Sequence, residues 1–165
     1  MKSGLILVSL LLIFISVCAA DEIRGKVGSV SVSDNSIIVS GVHISAQNAR
    51  IENEFDQPIN LAAIVAGDYV DVDGAFTGPG QMMAMKVEKE YPKYDEINGR
   101  VDKVDPAKRE LTISGITIKV PQDAWLEGHN DMRISIEQIL PNYYVECDGN
   151  WTALLEFTAS KVEFD

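Results

Sequence analysis

Apolar and polar residues alternate with period two along most of the chain from Asp21 onward, and that rhythm predicts strands. In "DEIRGKV" (Asp21–Val27) the apolar Ile23 and Val27 and the small Gly25 alternate with charged residues. "NSIIVSGVHISA" (Asn35–Ala46) reads as two short strands folding back at Gly41, where a glycine accepts a positive φ. "NLAAIVAGD" (Asn60–Asp68) is the one helical candidate, ended by Gly67. "YVDVDGAF" (Tyr69–Phe76) and "QMMAMKVEKE" (Gln81–Glu90) return to the strand pattern.

The same order then recurs. An offset of 74 pairs Ile23 with Ile97, Gly25 with Gly99, Val27 with Val101, Gly41 with Gly115 and Ile44 with Ile118. Past the middle of the unit the offset becomes 75 and pairs Tyr69-Val70 with Tyr144-Val145, Asp73-Gly74 with Asp148-Gly149, and "KVE" at Lys86 with "KVE" at Lys161. The chain is therefore a duplication. The expected layout is a leader over 1–20, a first repeat over 21–89, a linker over 90–94 ("EYPKY") and a second repeat over 95–165. Pro92 discourages a helix across the join.

Three strands, a short helix and two strands per repeat is the order of a five-stranded OB-like barrel. The expected fold class is all-β with a small helix per repeat, as two tandem OB-like barrels; a two-sheet sandwich is the rival with the same order. Units this small bury little of their surface alone, so the two are expected to pack on each other or on a partner. The repeated "I-x-G-x-V … G-x-x-I … G-D-x-V-x-V-x-G … A-x-K-V" resembles a family of exported bacterial proteins known only as a domain of unknown function, often in tandem and OB-like in shape. The resemblance spans 21–165 and rests on turn and core positions. It implies a fold and supplies no catalytic residues. The second repeat has Asn142-Tyr143 where the first has Gly67-Asp68, so the tight turn there is expected to differ.

The first twenty residues carry one basic residue (Lys2), an apolar run over Leu5–Val17 and a small-residue end, the layout of a secretory signal peptide. Cleavage after Ala20 would expose Asp21 and leave no membrane-spanning segment. "ISVC" offers Cys18 as a lipidation site instead, although Val17 departs from the small residue a lipobox wants. The localisation expected is periplasmic or secreted, with a lipid anchor through Cys18 as the alternative. A net charge of −11, with 25 acids against 14 bases, repels phosphate backbones, so no nucleic-acid partner is expected. After removal of the leader Cys147 is the single cysteine, and its counterpart Val72 marks it as a buried thiol.

Candidate chemistry is sparse. Tyr69, Asp71 and Asp73 share one strand face, as do Tyr144, Glu146 and Asp148, an acidic stripe that could attract Ca²⁺ but reads first as a solvated face. Phe76 and Trp151 follow the "DG" pairs, taken as turns, and Trp125 aligns with Ile51; these three aromatics are the candidate ligand contacts for a carbohydrate or small molecule, against a packing role. Tyr91 and Tyr94 are expected to brace the two units. His43 and His129 are isolated and unmatched between repeats, a poor basis for zinc. No catalytic residue, cofactor or metal ligand set is assigned. The function expected is a non-enzymatic binding or structural module of the bacterial cell envelope, with an envelope protein or glycan as partner. A carbohydrate binder and a divalent-cation binder are the alternatives.

Overall fold

The computed structural model describes residues 20–164; the leader and Cys18 lie outside them. The described chain is all-β. The first repeat contributes β1 (Asp21–Ser31), β2 (Ser36–Val39), β3 (Val42–Ser45), β4 (Arg50–Glu52), β5 (Tyr69–Gly78) and β6 (Gln81–Glu90). The second contributes β7 (Asp95–Arg100), β8 (Lys103–Asp105), β9 (Glu110–Ile113), β10 (Ile116–Lys119), β11 (Trp125–Gly128), β12 (Met132–Arg133), β13 (Tyr144–Ala153) and β14 (Glu156–Glu163). Each expected helix is a single 3-10 turn, Leu61–Ala63 and Ile136–Gln138, followed at once by extended Ile64 and Ile139. One turn suffices because only two apolar side chains three apart, Leu61 with Ile64 and Ile136 with Ile139, need to reach the core.

The expectation of two separate units meets one 14-stranded sheet that runs through both repeats. Within the first repeat β1 pairs antiparallel with β2 and with β5, β2 with β3, and β5 with β6, while β3 pairs parallel with β6. In the second, β7 pairs with β13, β13 with β14, β14 with β10, β10 with β9 and β9 with β8. The period-two faces point as the alternation predicts: Ile23, Val27, Val70, Val72, Ile97, Val145 and Cys147 are buried. The hairpins at Ser40-Gly41 and Ser114-Gly115 place both central residues at positive φ, the conformation of a two-residue turn whose twist suits its strands. Asn142 adopts φ 72° where Gly67 adopts 96°, and both amides donate to the same carbonyl of the opposing strand, Val101 and Val27. The two turns thus share one geometry, against the expected difference, because asparagine tolerates the left-handed region.

The repeats are joined by three reciprocal contacts. Strand β1 pairs antiparallel with its own equivalent β7, with Ile23 opposite Ile97, so a local two-fold axis passes between matching residues. The hairpin tips exchange across the join: Gly80 N–H donates to the Ser114 carbonyl (2.7 Å) and Leu155 N–H to the Ser40 carbonyl (3.0 Å). Third, Trp151 lies over Gly25 and Phe76 over Gly99, each aromatic covering a glycine of the other repeat. A Cβ on Gly25 would stand 2.8 Å from the indole Nε1, and one on Gly99 3.2 Å from the Phe76 ring. These glycines clear space for an aromatic. The irregularity in β1 falls beyond Gly25, between Val27 and Ser29.

Candidate functional site

The side chains that alternate with the core residues form a single charged face across the join. On β1 these are Glu22 and Arg24, on β7 Glu96 and Asn98, on β5 Asp71 and Asp73, and on β13 Glu146 and Asp148. The pairing fixes their neighbours: Arg24 stands between Asp71 and Glu96, and Asn98 between Glu22 and Glu146. Two carboxylate trios result, Glu22–Asp71–Asp73 and Glu96–Glu146–Asp148, with the oxygens of each trio all within 4.8 Å of one another. They occupy equivalent positions in the two repeats. Carboxylates two apart on one strand converge because a third acid from the neighbouring strand, Glu22 or Glu96, completes the group. A merely solvated face is not what forms: Glu96 is buried, and Glu22, Asp71, Asp73 and Asp148 are partly so.

Arg24 is the cation of this face. Its guanidinium donates to Asp71 (Nη2–Oδ2 2.6 Å, Nε–Oδ2 3.1 Å), to Glu22 (3.1 Å) and to Glu96, and it lies 5.2 Å from the Tyr94 ring. Asn98, its counterpart, offers only an amide: Nδ2 donates to Glu96 (2.8 Å) and Glu22 (3.0 Å), while Oδ1 is buried without a donor. Asp148 Oδ1 and Asp71 Oδ1 are likewise buried and without a donor. Burial, together with the neighbouring charges of Asp71 and Glu96, pushes the Glu22 carboxyl up to about 8. Burial also raises Asp73, Glu146 and Asp148 above the ordinary carboxylate range.

A third group of acids, Glu127, Asp131 and Glu163, sits at the far end of the same face. It already holds a cation: Lys161 Nζ lies 3.0 Å from Glu127 and 2.5 Å from Glu163.

The aromatic candidates go elsewhere. Trp151 is half-buried in the join, donating from Nε1 to the Arg24 carbonyl (3.1 Å) and meeting Phe157 edge-on at 5.3 Å. Phe76 is also in the join and lines a groove of about 300 Å³ with Asp21, Arg100, Asp102 and Ser114. Their backbone amides are held alike, by Asp21 on Phe76 N–H and Asp95 on Trp151 N–H. Trp125 stands apart on β11, 44% exposed, beneath the Arg133 guanidinium at 4.2 Å and bonded to Glu127. The three therefore do not form one aromatic site. Pairing with β6 and β14 also sets Trp125 opposite Lys161 as Arg50 is opposite Lys86. Its counterpart is Arg50, with Leu126 matching Ile51, so the extra residue lies earlier, in the loop before β11.

Other expectations are met differently. The "DG" pairs are strand irregularities within β5 and β13, where a Cβ on Gly74 or Gly149 would strike the carbonyl of Met83 or Thr158. Tyr91 is 61% exposed and Tyr94 covers Arg24, so the brace between repeats is made by Tyr69, whose hydroxyl bonds Asp95. Cys147 is fully buried, and burial holds its thiol protonated. His43 and His129 are exposed on separate elements. The residues that sequence reading passed over are Glu22, Arg24, Glu96 and Asn98, which belong to the first strand of each repeat.

A protein family described as a domain of unknown function (DUF5666) matches the chain twice, over residues 24–88 and 98–163. No curated protein matches it. The chain belongs to the DUF5666 family, in two tandem copies that coincide with the structural repeats.

Proposed function

We propose that this tandem DUF5666 protein is an exported, non-enzymatic binding module of the cell envelope, and that its working surface is the acidic face shared by β5, β1, β7 and β13. Its ligand carries positive charge. The observation behind this reading is the gathering of six carboxylates in two trios, one from each repeat, on one face where the guanidinium of Arg24 bonds only three of them, Glu22, Asp71 and Glu96. Such a face concentrates cations, and partial burial keeps salt from screening it fully. We read each repeat as a small OB-like barrel. In support, the pairings of the first repeat return to their starting strand, β1 to β2, β3, β6, β5 and back to β1. In the second, β7 and β8 divide the role of β1. Export rests on the leader pattern of residues 1–20.

Calorimetric titration of the purified protein with an oligolysine peptide and with CaCl₂ tests the reading. Binding of at least one, weakened by salt, is expected. A protein that binds neither at low ionic strength has no cation-binding face.

A further inference from the structure

We infer that the second-repeat half of the acidic face seats one hard divalent cation, Ca²⁺ by its chemistry, between Glu96, Glu146, Asp148 and the amide oxygen of Asn98. The inference rests on the reading of this face as a cation-binding surface and assigns the ion and its place.

Convergence of the three carboxylates within 4.8 Å is the first requirement, and it is met. Acidic groups also converge in the other half, so convergence alone decides nothing. The deciding observation is Asn98, which is 7% exposed and whose Oδ1 has no donor. An acceptor buried in this way costs about 1–3 kcal/mol unless something satisfies it. Turning the amide over does not help, because Oδ1 would then face Glu22 and Glu96, which now accept from Nδ2. The strand-paired neighbours of Asn98 are Glu22, whose two oxygens already accept from Asn98 Nδ2 and from Arg24, and Glu146, an acceptor when ionised. What satisfies this oxygen, and the equally orphaned Oδ1 of Asp148, comes from outside the cluster, and the three carboxylates converged beside them favour a cation over a neutral donor.

The first-repeat half shows what the second lacks. There Arg24 occupies the position of Asn98 and places its guanidinium on Asp71 and Glu22; across the join it reaches Glu96 but makes no bond to Glu146 or Asp148. Lys161 does not make up the difference on the second side, since its ammonium is bonded to Glu127 and Glu163. Four oxygen donors with no nitrogen or sulfur select a hard cation over zinc. Glu146 is the exposed member, which leaves one side open for water to complete the six to eight ligands that Ca²⁺ takes. Mg²⁺ demands stricter octahedral geometry than strand-borne side chains supply, and is expected to bind more weakly.

The test uses chelator-treated protein titrated with CaCl₂ alone. One Ca²⁺ per chain is expected, with a Kd on the order of 10⁻⁴–10⁻³ M. The melting midpoint should rise by about 2–5 °C at tenfold excess over that Kd. Asn98→Arg copies the first half into the second, so it should abolish Ca²⁺ binding while raising the midpoint in chelator above wild type. Glu146→Gln, at an exposed position, should fold normally and weaken Ca²⁺ at least tenfold. If both variants bind Ca²⁺ as wild type does, the seat is wrong and the ion sits elsewhere. Wild-type protein that ignores Ca²⁺ yet binds oligolysine overturns the seat and leaves the acidic face standing; failure with both ligands overturns the two together.

Discussion

The two halves of the acidic face share backbone and register, exchange only Asp71 for Glu146 among their acids, and differ in charge at one position, Arg24 in the first and Asn98 in the second. In the first half the guanidinium satisfies the carboxylates from within the chain. In the second a shorter amide reaches one acid of its own trio, Glu96, and one of the other, Glu22, and leaves its own oxygen unpaired. A duplicated scaffold can thus keep one copy as an internal ion pair and turn the other toward an external cation by a single residue. Asymmetry between repeats is more informative here than their similarity, because similarity reports the shared core.

The largest effect is expected from emptying the first half. Arg24→Ala leaves Glu22, Asp71 and Glu96 facing one another partly buried, and should cost about 3–5 kcal/mol in urea denaturation; Asn98→Ala should cost about 1 kcal/mol. Equal losses would mean that the halves do not differ as described. Next in size are the aromatics of the join. Trp151→Ala and Phe76→Ala should each cost about 2–4 kcal/mol, with Trp151 the larger because it also loses the bond to the Arg24 carbonyl and the contact with Phe157. A reversed order would show that the join is held from the first repeat's side.

Acidity sharpens the contrast further. Burial, with the charges of Asp71 and Glu96 beside it, pushes the Glu22 carboxyl up to about 8 from the 4.5 of an ordinary glutamate, against the opposing pull of Arg24. A raised folded value means stability fully present below about pH 4.5 and lost as pH rises through 8. In chelator the unfolding free energy should therefore fall from pH 5 to pH 8, with Glu22 contributing up to about 1.4 kcal/mol per pH unit, the value for one proton, and the raised Asp73, Glu146 and Asp148 adding in the same direction. Glu22→Gln should flatten that slope. The smallest effect belongs to Trp125→Ala, where loss of an exposed ring under Arg133 should cost about 0.5–1 kcal/mol and leave the face unchanged.

Much of the architecture was legible because it is local. Period-two alternation marks the faces of β1 and β5, and Gly41 and Gly115 mark the hairpins. The acidic trios were legible only in part: Asp71 with Asp73 and Glu146 with Asp148 share a strand face, but their third members, Glu22 and Glu96, join through the β1–β5 and β7–β13 pairings, and the two trios meet only because Ile23 stands opposite Ile97, a register that no spacing within either repeat encodes. A signal was nonetheless present: in the otherwise matching heptapeptides "DEIRGKV" and "DEINGRV", a guanidinium becomes an amide at one outward position. Trp125 was misaligned by one residue because the insertion sits in a loop, where apolar matching has no grip. The covering of Gly25 by Trp151 was invisible for a related reason, since a strand glycine reads equally as a bend or as a cleared space.

The axis between Ile23 and Ile97 has a further consequence. An interface in which a residue meets its own equivalent is isologous, the arrangement of a two-fold homodimer. The tandem chain has the form of such a dimer with its two subunits tied by the segment 90–94. A protein carrying one such repeat would present β1 as an open edge and Gly25 as an empty seat, and another copy of itself is the surface that fits both. Single-repeat relatives should accordingly be dimers with two identical acidic halves. Within one chain the equivalent positions 24 and 98 can differ, and here they carry Arg and Asn.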